Sequence, residues 1–168
     1  MKRSMTEWAF VPMEERHGKA ICEWRYPPPY DVFDWAPWEK LAERSEEFAD
    51  PLVRAAQYEA VLDGSGELCG FAQFFPLEGW TRLGLGLRPD LCGSGLGPSF
   101  VRAIVRRARE RNPRNGIDLE VLASNTRAIR AYLKSGFAVA DTYVRGTPTG
   151  PNEFHCMVYG GDSDATVV

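Results

Sequence analysis

The stretch Leu83 to Phe100, LGLGLRPDLCGSGLGPSF, constrains the fold of this 168-residue chain more than any other. It reads as an apolar strand, a break at Pro89, a turn with Gly93, Gly95 and Gly97, and the start of a helix. Alternating glycines remove the Cβ atoms that would keep a ligand from the main chain. The first amides of a helix lack intrahelical partners and carry partial positive charge. A turn of this kind entering a helix is suited to phosphate. It is not a P-loop, because no Gly-Lys-Ser/Thr closes the turn. Nor does it open a βαβ unit with an acidic residue about 20 residues on, as a dinucleotide fold requires. A phosphate ligand other than a dinucleotide is the expectation.

The rest of the chain supplies the frame. Residues 6–13 read as a first strand, Glu14 to Trp24 as a helix and Trp38 to Phe48 as a second, ended by Asp50-Pro51. Gln57 to Leu62, Leu68 to Phe75 and Thr81 to Leu87 form a meander whose first hairpin turns at DGSGE. Leu96 to Asn112 is a helix with the apolar stripe Leu96, Phe100, Ile104, Val105 and Ala108. Its basic row of Arg102, Arg106 and Arg109 is either a solvated face or a contact to a peripheral phosphate. Ile117 to Ala123 is a strand, and Thr126 to Ser135 a helix with Ala128, Ile129, Tyr132 and Leu133 inward, capped by Asn125 and stopped by Gly136. Phe137 to Val144 and Phe154 to Tyr159 are the final strands.

The segment from Trp24 to Trp38 holds the triple proline Pro27 to Pro29 among aromatics. Trp24, Tyr26, Tyr30, Phe33 and Trp35 either fold back onto the core or wall a substrate pocket. One domain over residues 1–160 is expected, with 161–168 a disordered tail. A net charge of -3 implies no nucleic-acid partner. The four cysteines form no CxxC pair, and the two histidines have no partner at ligand spacing, so no metal is expected. No leader and no apolar run of membrane length is read, and the expectation is a cytoplasmic protein with reduced thiols, off the membrane.

Two motifs carry a family resemblance. CGSGLG (92–97) is similar to the acyl-CoA pyrophosphate loop, Arg/Gln-x-x-Gly-x-Gly/Ala, of the GNAT (Gcn5-related N-acetyltransferase) superfamily. EVLASNTRAIRAYLKSGF (120–137) resembles that family's later motif through Asn125, Ala128, Tyr132, Gly136 and Phe137. The resemblance implies an α/β (α+β) GNAT fold, with a mixed six- or seven-stranded sheet and about four helices. It implies acetyl-CoA as co-substrate, bound by Leu85, Leu87, Cys92, Gly93, Ser94, Gly95, Leu96, Gly97, Asn125 and Tyr132. The acyl group would pass directly to a primary amine, on a small molecule or a protein N-terminus. Tyr132 is then the acid that meets the leaving thiolate, matched to it as a phenol of similar pKa, and the Leu87 amide polarises the thioester carbonyl.

Glu120 is the first choice of base. It alternates with Leu119 and Val121, so it faces away from them, and a carboxylate against an apolar site can accept a proton near neutrality. Its spacing to Tyr132 equals that of the glutamate–tyrosine pair in GNAT enzymes that acetylate protein N-termini. The alternative is a glutamate at the sheet edge that serves solubility or binds a cationic substrate. Cys92 and Pro98 depart from the pattern: a thiol replaces Arg/Gln, and proline removes one N–H. The competing functional reading is therefore a degenerate CoA-binding regulatory module. Homodimers are common in the family, and a homodimer is compatible with this chain.

Overall fold

The computed structural model describes residues 7–161, so the tail expectation for 161–168 falls almost wholly outside the described residues. Among the described residues, seven strands form one sheet in the order β1-β2-β3-β4-β5-β7-β6. They are β1 (Ala9–Pro12), β2 (Tyr58–Leu62), β3 (Leu68–Leu77), β4 (Trp80–Leu87), β5 (Gly116–Leu122), β6 (Phe137–Thr147) and β7 (Gly150–Tyr159). Five α-helices accompany them: α1 (Glu15–Cys22), α2 (Trp38–Arg44), α3 (Pro51–Gln57), α4 (Gly97–Arg111) and α5 (Thr126–Lys134).

The chain divides into two compact units, one built from the chain up to Gln73 together with Leu85–Ser94, the other from Phe74–Gly84 and Gly95 onward. In the first, β1 and β2 pair antiparallel, and so do β2 and β3. Their face is covered by Ile21 and Cys22 of α1, Leu41 of α2 and Phe48, with Tyr58 and Phe71 beneath. In the second, β4 pairs parallel with β5 from Trp80↔Gly116 to Leu83↔Leu119. Leu119 and Val121 register with Met157 and His155 of β7. Leu119, Val121 and Met157 are buried, as are Phe100, Ile104, Val105 and Ala108 of the expected α4 stripe.

Three local expectations are corrected. The second helix ends at Arg44, not Phe48. Ser45 turns left-handed at φ 51°, and the N–H groups of Ser45 and Glu46 close back on Ala42 and Leu41. Asp50-Pro51 does not terminate a helix but starts one: the Asp50 side chain accepts from the Leu52 and Val53 amides, and Pro51 occupies the first position of α3. Leu133, expected inward, is 51% exposed, and only Tyr132 of the α5 set is buried.

The buried His17 ring nitrogen Nδ1 accepts the Glu14 N–H at 2.9 Å, completing a capping box. Burial, then the nearby Arg16 charge, hold the imidazole below its ordinary 6.5. A depressed histidine contributes stability above its unfolded pKa and loses it as pH falls through the folded one.

Candidate active site

The glycine turn has an open backbone. Gly93 and Gly95 sit at φ +73° and +83°, and a Cβ added at either would meet no atom within 4 Å. Among the described residues, no hydrogen bond within the chain uses the N–H groups of Gly93, Ser94, Gly95 or Leu96. Gly97 is the first residue of α4, where the amide has no intrahelical partner by construction. The Ser94 hydroxyl donates to the Leu91 carbonyl.

Cys92 does not belong with these donors. Its N–H donates to the Pro89 carbonyl at 3.2 Å, closing the single turn Pro89–Leu91. Its Sγ lies 3.6 Å from the carbonyls of both Leu87 and Arg88. The residue where the family pattern has Arg or Gln thus faces the end of β4. Cys92, expected among the cofactor-binding residues, instead has its N–H engaged by the Pro89 carbonyl.

The start of α4 abuts α5. A Cβ on Gly97 would stand 3.2 Å from that of Ala131, and the Ser135 hydroxyl, which donates to the Ala131 carbonyl at 2.6 Å, lies 3.3 Å from the Pro98 carbonyl. Tyr132 follows Ala131. Its ring lies 5.9 Å from that of Phe137, and burial pushes its phenol up to about 12. The expected match to a thiol of about 8.5 is therefore absent. Among the described residues, no hydrogen bond engages its hydroxyl. Asn125 caps α5 as expected, accepting the Ala128 amide at 3.3 Å.

Glu120 points away from Leu119 and Val121 as its alternation requires, but its surroundings are not apolar. Its carboxylate accepts from the Tyr143 hydroxyl and, at 3.0 Å, from Arg145. Arg82 approaches at 3.5 Å while gripping Asp118 through two hydrogen bonds. Burial, then the bond to Glu120, raise the Tyr143 phenol. The spacing of Arg82, Tyr143 and Arg145 carried no signal, since they reach β5 only through strand pairing.

The aromatic segment divides. Trp24 and Trp35 pack on the core, Trp35 at 4.7 Å from Phe48 and 6.1 Å from Phe71, as the fold-back reading had it. Phe33 is 37% exposed on a turn whose first residue is Tyr30. Tyr26 donates its hydroxyl to the Leu87 carbonyl at 2.8 Å. Arg102, Arg106 and Arg109 are exposed, with Arg109 stacked 4.9 Å over Tyr159. Among the described residues, no group of three acidic, histidine or cysteine side chains could hold a metal. No helix there is long and apolar enough to cross a membrane.

A family model described as "Acetyltransferase (GNAT) family" matches residues 18–137. The chain belongs to the GNAT acetyltransferase family. Solved GNAT structures share its fold. A spermidine N-acetyltransferase SpeG chimera from Vibrio cholerae and hSSAT aligns at TM-score 0.71 and 16% identity, over 90% of this chain and 94% of that one. The ribosomal-protein-S18-alanine N-acetyltransferase from Escherichia coli aligns at 0.62 and 19%, over 94% and 98%. The aminoglycoside acetyltransferase AAC(6')-Ib in complex with coenzyme A aligns at 0.66 and 25%, over 90% and 95%. No curated protein matches the chain. The GNAT family uses acetyl-CoA, and the turn fits its diphosphate: amides without internal partners stand beside glycines with open space.

Proposed function

We propose that the protein is an acetyl-CoA-dependent N-acetyltransferase acting on a primary amine. The observation that carries this reading is the set of uncommitted amides from Gly93 to Gly97 at the mouth of α4. When bound, acetyl-CoA supplies the acyl group as a reactive thioester. In this reading Gly93, Ser94, Gly95, Leu96 and Gly97 hold the diphosphate through main-chain N–H groups, and Leu85, Leu87 and Asn125 receive the pantetheine arm. The Leu87 amide polarises the thioester carbonyl, and the Tyr132 hydroxyl meets the departing sulfur. Of the aromatic segment, the half-exposed Phe33 is the residue proposed to meet an acceptor, with Tyr30 beside it on the same turn, whereas Trp24 and Trp35 pack on the core. Spermidine, an alanine of ribosomal protein S18 and aminoglycosides are the substrates named for the structural neighbours. Thiol release from acetyl-CoA with spermidine, an aminoglycoside and an alanine-ended peptide tests the proposal. Turnover with any of them supports it. Tight CoA binding without turnover would instead favour the regulatory module.

A primary amine with a pKa of about 10 is almost wholly protonated at neutral pH, so a proton acceptor is needed. Glu120 is the proposed acceptor, on the condition that the Tyr143 hydroxyl yields one carboxylate oxygen. Glu120→Gln is then expected to lower the rate about tenfold below roughly pH 7 and to recover as the amine loses its own proton. A pH–rate profile of unchanged shape would return Glu120 to the ion-pair cluster.

A further inference from the structure

The peptide joining Leu87 to Arg88 is held at both ends. Its carbonyl oxygen accepts from the Tyr26 hydroxyl at 2.8 Å and faces the Cys92 thiol at 3.6 Å. Its N–H, on Arg88, donates to the Cys69 carbonyl at 2.8 Å. One residue earlier, a Cβ on Gly86 would fall 2.3 Å from the Phe71 ring, so that ring is seated directly on the strand. Arg88 is fastened as well, with its guanidinium on the Leu68 carbonyl and the Asp90 carboxylate. Tyr26 is itself anchored: its N–H donates to Asp34 Oδ1 at 2.9 Å. That bond spans the triple proline and the exposed pair Val32 and Phe33.

An ordinary strand end frays, because its last peptide has few partners. Here two side chains, Tyr26 and Cys92, and the main-chain carbonyl of Cys69 converge on one peptide unit. A hydrogen-bonded peptide with both ends engaged cannot rotate about its flanking dihedrals without breaking two bonds, which matters where a neighbouring amide must meet a reacting carbonyl. The arrangement also gives a use to the cysteine that stands where the family has Arg or Gln.

We propose, resting on the reading that the thioester lies at the end of β4, that Tyr26 is a positioning residue. With Cys92 it fixes the Leu87–Arg88 peptide, and so ties the loop from Tyr26 to Asp34 to the alignment of the acyl donor. Tyr26→Phe keeps the ring and deletes only the donor. At saturating acetyl-CoA, with whichever of the three amines turns over, kcat should fall about tenfold while the KM for acetyl-CoA stays within about twofold. Cys92→Ala, a smaller lesion, should lower kcat about threefold, and the double variant should fall no further than Tyr26→Phe alone, because both act on one peptide. Amide exchange at Arg88 in the ligand-free protein should accelerate about fivefold or more in Tyr26→Phe. An active parent whose kcat and Arg88 exchange are both indifferent to Tyr26→Phe overturns the inference alone, and so does a lowered thermal midpoint with kcat unchanged. A parent that releases no thiol with any of the amines overturns the acetyltransferase reading, and the positioning role with it.

Discussion

Tyr132→Phe is expected to lower kcat about 100-fold and to leave the folded protein intact. The two halves of that expectation have separate causes. Among the described residues the hydroxyl has no hydrogen-bond partner, so its removal breaks no native bond, and the ring contact with Phe137 at 5.9 Å is kept. Thermal unfolding should therefore move little. The catalytic loss follows from aiming a donor at charge that develops on sulfur, an interaction whose removal costs roughly 2.7 kcal/mol or more in a water-poor site. Burial sets the form of the contribution. With burial pushing the phenol up to about 12 and a simple thiol near about 8.5, complete proton transfer to sulfur is uphill, and the role proposed for the hydroxyl is hydrogen-bond donation.

Two consequences distinguish this from a proton-shuttling tyrosine. The pH–rate profile of Tyr132→Phe should keep its shape between about pH 6 and 9, lowered uniformly, because the phenol is protonated throughout. Stability carries the same signature at higher pH. A phenol raised in the folded state contributes stability that is full below its unfolded value of 10.0 and lost as pH rises toward about 12. The phenylalanine variant should lack that alkaline loss. A fall of less than threefold in kcat would remove Tyr132 from the reaction.

The glycine turn and the α5 motif were legible because both are local. Glycine spacing, a capping asparagine and a tyrosine two turns into a helix act over a few residues, and sequence order preserves that. The alternation of Leu119, Glu120 and Val121 likewise told which way Glu120 points. It could not tell what Glu120 meets. Arg82, Tyr143 and Arg145 arrive through a sheet in which β7 lies between β5 and β6, an order that chain succession hides. Tyr26 and Leu87 are 61 positions apart and share no periodicity. The third helix was missed for a different reason: Asp-Pro has two meanings, a stop and a cap followed by a first-turn proline. The left-handed Ser45, which ends α2 early and makes room for the second meaning, has no strong sequence mark.

Gly95→Ala should weaken CoA binding about 30-fold, and a second glycine supplies the control. Gly95 and Gly66 have nearly the same backbone, φ +83° and +84°, and in neither case does an added Cβ meet an atom within 4 Å. The strain of an alanine at such a φ, about 1 kcal/mol, is therefore common to both, and both variants should lose that much stability in urea. They differ only in what is outside the chain. Gly66 lies in the hairpin turn between β2 and β3, where Asp63 Oδ1 gathers the amides of Ser65 and Glu67. Gly95 stands among amides that no internal acceptor engages. If those amides converge on a diphosphate, a methyl group there intrudes on the ligand and tilts the donors, whereas one at Gly66 touches nothing that binds. Calorimetric titration of CoA into the two variants measures the difference with fold stability held equal. Equal affinities in Gly95→Ala, Gly66→Ala and the parent would mean that the turn does not carry the phosphates, and the acetyl-CoA site would have to be sought elsewhere.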